Sequence, residues 1–514
     1  MYTYYVNERR VKRMKSFRIK NIKSFKDSGE IEIKPITIFV GKNSCGKSSL
    51  LRFPIVLAQT VTSNTDSPIR FYGKMLDYGN YEDVVFGGKK ENIEFAIHYD
   101  VNINDLQDAR YKVEEKKSIC NVENVKDTWM TVCIGKKDNK MYVDKTELYV
   151  ENILISGFYY EENSYKVKLN ALYNEGEFLE EKYELHLKSV DFDAFFPVYD
   201  SKERFSAIVE LVYDKSSEYV DEKIMQELYN KLYNNANPFG EDEYTKQEKS
   251  IMRISAGFDY ASTLMSHIYH RFQIESIITT YIGPFRENPE RVYRDSETQS
   301  RDVGVKGENV STLLIRDFHK NNKLIEAISK WLNKTMGYNL QIKDMGSNLF
   351  QIMLVNSEGV ESNILDVGFG ISQVLPIVTQ IIRSSFWSQK YIMGNEIDEE
   401  TIYIEQPELH LHPAAQADLA DLFVNCVLEG NNGKRIVIET HSEHLIRKLQ
   451  VLIADKNNMF TNEMIKIYYV DKDKQGIAHV EEMKMLPNGK FQKKWPSGFF
   501  DKAHELSMEL LKNS

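Results

Sequence analysis

The sequence predicts an α/β fold whose core is cut in two by a large, mixed α+β insertion of acidic character. Three observations carry that prediction. Apolar strand-like runs alternate with helical ones toward both ends of the 514-residue chain, as in parallel-sheet cores. A glycine-rich loop, Gly41–Gly46, sits between one such strand and a helix. Charge is also uneven: the chain carries a formal −10, of which side chains over residues 101–260 account for −11, leaving about +1 elsewhere. The expected units are therefore 1–100 (first part of the core), 101–275 (insertion) and 276–514 (second part of the core).

Along the chain, Phe17–Ile22 and Ile31–Val40 read as strands around a turn at Lys26–Gly29. A helix is expected from Lys47 to about Thr60, and Ile93–Tyr99 alternates as a strand. In the insertion, short alternating runs such as Tyr142–Ile155 and Tyr165–Leu172 predict strands to about residue 190. Helices follow over 201–275, broken at Asn235–Gly240. Strands resume at Ser276–Ile282, Leu349–Val355, Thr401–Ile404 and Arg435–Glu439. Helices at Asn321–Met336, Ser372–Ser385 and Ala414–Leu428 lie between them. The end of the chain offers a strand at Ile465–Val470, a pairing run at His479–Met485 and a closing helix at Asp501–Leu511.

Composition excludes several classes. With 42% hydrophobic and 28% charged residues the chain is an ordinary globular one. Apolar runs such as Val374–Val378 fall far short of the roughly 20 residues of a membrane span. Met1–Lys15 has no apolar segment of the kind secretory signals carry. Cys45, Cys120, Cys133 and Cys426 follow no disulfide or zinc spacing. A soluble, reduced, cytoplasmic protein without a membrane partner is expected. The pI of about 5.7 disfavours a globally basic nucleic-acid binder, although a local basic stripe is compatible with it.

The chemistry is concentrated in four segments. Gly41-Lys42-Asn43-Ser44-Cys45-Gly46-Lys47-Ser48 fits G-x4-G-K-[ST] without mismatch, and Ser49 follows in the helix. Such a loop turns backbone N–H groups toward phosphate oxygens, Lys47 reaches the β/γ-phosphates and Ser48 ligates Mg²⁺. Cys45 reads as a small filler. Thr401–Glu408 is an apolar strand ending in acids; lying beside the loop strand, it would set Glu405 to hold a Mg²⁺ water. Arg435–Ser442 is a further strand, ending at His441. Asp366–Gln373 opens a helix, and Gly370, Ser372 and Gln373 make a second phosphate-binding end there. One nucleotide does not need two such ends. If the second serves a partner's nucleotide, two chains sandwich two ATP molecules.

In chain order (glycine loop, Ser/Gly helix start, acidic strand, strand-end His) the segments match the layout of ABC-type ATPase heads, and the chain resembles the RecF/SMC/OLD-like AAA ATPases of repair proteins and bacterial anti-phage systems. Ile404–Pro413, Glu439–Leu445, Trp495–Asp501 and Tyr281–Glu287 look like elements of one bacterial subfamily. The resemblance spans roughly 1–100 and 276–514 and leaves 101–275 unmatched. It implies an ABC-type P-loop NTPase head that uses ATP and Mg²⁺ and forms a homo-oligomer through an ATP sandwich. It also implies a sensor or scaffold role in anti-phage defence, with a separate effector such as a nuclease acting in trans. The alternative is a DNA-binding repair or chromosome-maintenance clamp, which would need a basic groove that the charge does not indicate.

One position departs from the pattern. ABC-type heads place a Glu directly after the strand-end acid as general base, and here that residue is Gln406. An amide orients water but accepts no proton, and loss of a general base costs about 10²–10⁴ in rate. Either Glu408 substitutes or hydrolysis is slow; slow hydrolysis is the favoured expectation. Glu405, Gln406, Glu408 and His441 are thus the candidate catalytic set. His410 and His412 read as packing or subunit contacts and not a metal pair. Arg286 and Arg291 are within reach of a phosphate role, but a surface or core ion pair is the favoured reading. Asp471 and Asp473 look like the D-x-D of a TOPRIM nuclease, but too little chain follows for that domain, so no intrinsic nuclease is expected.

Overall fold

The computed structural model describes residues 13–63, 65–88, 91–101, 127–174, 177–188, 190–198, 201–212, 222–231, 245–296, 299–386, 389–392, 395–397, 399–429, 433–496 and 509. The expected break at Asn235–Gly240, the closing helix at Asp501–Leu511 and most of the Trp495–Asp501 motif lie outside these residues.

A six-stranded sheet forms the core, in the order Thr279–Ile282, Glu400–Glu405, Lys434–Glu439, Ile36–Gly41, Ile465–Lys472, Ala478–Glu482. The first five strands are parallel and the last is antiparallel. Thr279–Ile282, Glu400–Glu405 and Ile36–Gly41 are buried at every position, which is how parallel strands covered on both faces read. Alternate residues serve two cores. Ile36, Ile38, Val40, Ile402, Ile404, Ile436 and Ile438 pack with the helices Phe369–Phe386, Pro413–Glu429 and Glu443–Ala454. Phe39, Tyr281, Tyr403, Val437 and Tyr468 face the other way, into the core that holds the helix Lys47–Val61.

The strand order corrects one expectation. The acidic strand Glu400–Glu405 is not beside the loop strand; Lys434–Glu439 lies between them, with Glu405 opposite Glu439 and Glu439 opposite Phe39. Runs of Ile and Val mark a buried parallel strand but carry nothing about its neighbour, which the crossover helices decide.

A second, nine-stranded sheet is antiparallel. Ser16–Ile22 and Ile93–Tyr99 begin it, and Thr128–Lys137, Lys140–Val150, Ile153–Glu161, Ser164–Asn174 and Glu177–Leu187 extend it. Charge marks 101–260 as distinct, yet the ladder runs straight across that boundary: Ile93–Tyr99 pairs with Thr128–Ile134 residue for residue. The inward face is likewise continuous. Phe17, Phe95, Met130, Leu148, Phe158 and Leu169 share one core with Phe53 of the loop helix. Each such buried aromatic or aliphatic side chain contributes about 1.5–3 kcal/mol. The helix Lys246–Ile277 packs against the loop helix from the same side. The described part of this segment is thus fixed to the core through a shared sheet and a shared helix contact.

Local chemistry explains smaller differences. Ile31–Val40 divides at Lys34-Pro35 into Ile31–Glu32, in the antiparallel sheet, and Ile36–Gly41. Tyr142–Ile155 is the centre of a hairpin, turned at Glu151 and Asn152 with φ of 48° and 68°. Tyr338–Gly346, paired with Leu349–Asn356, was hidden because its outward positions Gln341, Lys343 and Asp344 dilute the buried Leu340 and Ile342. Among the described residues, no helix is long and apolar enough to cross a membrane.

Candidate active site

The glycine loop is held by close approach. Gly41 has φ 146°, and a Cβ there would lie 2.0 Å from the Val470 carbonyl oxygen of the neighbouring strand. Gly46 has φ 116°, with room for no side chain against Ser24 and Phe25. Gly46 is also the N-cap of Lys47–Val61 and makes no side-chain cap, so the first backbone N–H groups of the helix remain open to a ligand. Lys47 is 3% exposed; its Nζ donates to the Lys42 carbonyl at 2.7 Å and lies 3.8 Å from Glu439 Oε1. Lys42 itself is clasped by Asp471 at 2.9 Å. Cys45 is buried beside Lys47, and burial pushes its thiol up, consistent with a filler.

Over this loop lies a cavity of about 620 Å³, within the range of small-ligand sites. Ser44, Gly46, Lys47, Ser48 and Ser49 form its floor, with Glu439 beside them. Lys23 and Ser24, the turn Glu82–Gly88, and Lys472, Gln475 and Gly476 form its walls. The last three belong to the turn that contains Asp471 and Asp473. Asp473 accepts from the backbone N–H groups of Gln475 and Ile477 and pairs with His479, so this D-x-D is a turn staple and a clamp on Lys42.

The acids are arranged differently from the expectation. Glu405, 2% exposed, accepts from Arg52 Nε and Nη2 at 2.6 and 2.8 Å and from the Tyr281 hydroxyl at 2.6 Å. Arg52 follows Ser48 by four residues and so shares its helix face, one turn deeper. Gln406 sits in a turn at φ 46°, its N–H donating to the Glu439 carbonyl at 2.8 Å. Arg286 expends its guanidinium on the carbonyls of Glu405 and Gln406 instead of on an acid, and burial lowers it to about 10. Glu408 accepts from the His441 N–H at 2.7 Å and the Thr440 hydroxyl at 2.8 Å, stapling the two strand ends together; burial pushes its carboxyl up. Glu439 is pushed up by burial and then by the charge of Glu405, against the opposing pull of Ser48, Lys47 and Arg52. Among the residues the motifs missed, Glu439 stands out. It directly precedes Thr440-His441, and in the sequence the histidine is the residue that marks this strand end.

His441 is lowered to about 4 by burial and then by the charge of Lys47. A histidine-selective NMR titration, assigned with His441→Gln, should therefore place its midpoint near 4. Its folded value lies below the ordinary 6.5, so its contribution to stability is present above that pH and is lost as pH falls toward 4. A midpoint near the ordinary value would mean that the ring is open to water.

The helix Phe369–Phe386 starts against the 406–411 turn: a Cβ on Gly370 would come within 2.8 Å of the His410 carbonyl oxygen. Ser372 donates to the Phe369 carbonyl at 2.9 Å, and Ser372 and Gln373 are buried. Phe369, by contrast, is 63% exposed, with the His410 ring 6.3 Å away. His412 accepts from the Ala414 N–H at 3.4 Å, at a helix start. Arg291 forms a two-pronged ion pair with Asp366. The structure thus gathers the loop residues and Glu439 around one cavity, while Gly370, Ser372 and Gln373 do not line it.

The family described as AAA ATPase domain matches residues 13–446. A second family, described as a protein of unknown function (DUF3696), matches residues 461–510 and so includes the wall formed by Lys472, Gln475 and Gly476. No curated protein matches the chain. Similar solved structures include an Smc head domain with an extended coiled coil bound to the C-terminal domain of ScpA, from Pyrococcus furiosus. It is 11% identical over 98% of this chain and 99% of that one, with a TM-score of 0.37. An SmcHead bound to the C-winged helix domain of ScpA is 10% identical over 92% and 98%, with a TM-score of 0.38. The SMC head domain from Thermotoga maritima is 9% identical over 91% and 98%, with a TM-score of 0.33. With its glycine loop, its open helix N-terminus and four of the five parallel core strands inside the matched residues, the chain belongs to the AAA ATPase domain family.

Proposed function

We propose that the chain binds ATP with Mg²⁺ in the cavity over Gly41–Ser49, hydrolyses it slowly, and uses the bound state to pair two copies. The observation that carries slow hydrolysis is the fate of the acids beyond the acidic strand. Gln406 replaces the carboxylate, and Glu408 has both oxygens engaged by Thr440 and His441. Glu405 is likewise held by Arg52 and Tyr281. Glu439 lies on the loop side, against Lys47. A water attacking the terminal phosphate from the far side would thus meet an amide.

The residues fit the ligands. The open N–H groups and buried Lys47 suit a triphosphate, and Ser48 would hold Mg²⁺, with Glu405 assigned to its water shell. Bound Mg²⁺ would bridge phosphate oxygens and offset their charge. Pairing is supported by the placement of Gly370, Ser372 and Gln373 off the chain's own cavity, with Phe369 exposed beside them. The resemblance to anti-phage ATPases suggests the setting: an ATP-held sensor or scaffold whose effector acts in trans.

Steady-state ATP turnover of the purified chain, with Lys47→Ala as the blank, tests the reading. Turnover above the blank but about 10²–10⁴ below an ordinary base-assisted rate is expected, together with nucleotide-dependent pairing by light scattering. Turnover on the order of 10 s⁻¹ or more, usual for enzymes, would overturn the slow switch.

A further inference from the structure

Glu439 ends the strand Lys434–Glu439, one strand nearer the glycine loop than Glu405. It is 3% exposed, and its two oxygens have different surroundings. Oε1 lies 3.8 Å from Lys47 Nζ, whereas Oε2 has no hydrogen-bond partner among the described residues. A buried carboxylate oxygen without a partner is costly, and such atoms in native folds call for a ligand. This one belongs to a residue that lines the cavity together with Ser48, whose hydroxyl bears on the same carboxylate. Glu405, just as buried, contrasts in its partners and its place. Its carboxylate is saturated by Arg52 and Tyr281, and it does not line the cavity. Hard divalent cations take carboxylate and hydroxyl oxygens, the pair that Glu439 and Ser48 offer side by side.

We propose that Glu439, through Oε2, is a direct ligand of the divalent cation held with the nucleotide beside the Ser48 hydroxyl. Lys47 occupies the other oxygen, so one carboxylate orders both the ammonium and the metal. Glu405 remains the partner of Arg52 and acts on the metal through water. The assignment rests on the cavity being a nucleotide site.

Binding of a fluorescent ATP analogue, measured in EDTA and in excess Mg²⁺, tests it without reference to turnover. Wild type should bind more tightly with Mg²⁺. Glu439→Gln should lose about tenfold or more of the Mg²⁺ gain, read as the ratio of its Mg²⁺ affinity to its own EDTA affinity. Glu439→Gln with the full gain, or wild type with none, overturns the assignment. Glu439→Cys guards against loss of fold. A thiolate favours soft ions, so the Cd²⁺-over-Mg²⁺ preference should rise about tenfold relative to wild type, whose own Cys45 sets the background. The preference is read from affinity for the ATP analogue, which an unfolded chain does not bind, and a Cys variant with the wild-type ratio also overturns the proposal. Absence of ATP binding by wild type in either buffer would instead sink the nucleotide-site reading itself. ATP binding by wild type with a normal Mg²⁺ response in Glu439→Gln would sink only the metal assignment.

Discussion

Lys47→Ala is expected to lower ATP affinity by about 100-fold or more. The ammonium is buried, at hydrogen-bond distance from the Lys42 carbonyl, and it faces Glu439 across 3.8 Å. Two losses therefore add. A charge-assisted contact to phosphate is worth about 1.5–3 kcal/mol, and each 1.4 kcal/mol is a factor of ten in affinity. The second loss is electrostatic: without Lys47, the Glu439 carboxylate meets the phosphates with no intervening cation. The same reasoning gives a pH signature in the free protein. Glu439 already titrates above the ordinary carboxylate value because of burial and the charge of Glu405, and Lys47 is among the groups holding it down. A group raised in the fold contributes stability below its unfolded pKa and loses it as pH rises through the folded one. The variant should thus lose more thermal stability, relative to wild type, at pH 8 than at pH 5. Titration calorimetry and thermal melts check both parts. Unchanged ATP affinity would remove the assignment of Gly41–Ser48 as the phosphate loop.

What the sequence reveals of this site follows from what each signal encodes. The glycine loop is legible because Gly41 and Gly46 hold backbone conformations that few other residues tolerate, at φ 146° and 116°. The buried strands are legible because both faces are covered, which leaves unbroken apolar runs. Strand order is not written locally, so the separation of Glu405 from the loop strand by Lys434–Glu439 emerges only from the fold. Nor do side-chain partners across long separations leave a trace. Arg52 and Glu405 lie 353 residues apart in sequence, and nothing around Arg52 marks it as the residue that occupies the strand-end acid. The acidic segment illustrates the converse. Its charge sets it apart in sequence, while the inward face of Met130, Leu148 and Leu169 continues the core of Phe17 and Phe95. Glu439 is silent in the sequence because a lone acid at a strand end is ordinary, and only its orphaned oxygen beside Ser48 gives it weight.

Gln406→Glu should raise turnover by about 10²–10⁴, because it puts a proton acceptor at the position where the resemblance to ABC-type heads implies one. The substitution is nearly isosteric, and the turn already holds a non-glycine residue at φ 46°, so the backbone has no new strain to absorb. The surroundings also favour a charged form. Arg286 donates to the carbonyls of both Glu405 and Gln406, placing a buried cation at that turn, and Arg52 neutralises Glu405 close by. A control separates chemistry from structure. Glu408→Gln keeps one acceptor but sets an amide N–H₂ against the Thr440 hydroxyl or the His441 N–H, so it should loosen the staple and lower thermal stability without raising the rate. A gain confined to Gln406→Glu means that one amide keeps the wild-type chain in its ATP-bound state and sets its lifetime. No gain, with ATP binding and pairing intact, would mean that proton transfer at residue 406 does not limit turnover, and the barrier would then lie in assembling the paired site around Phe369.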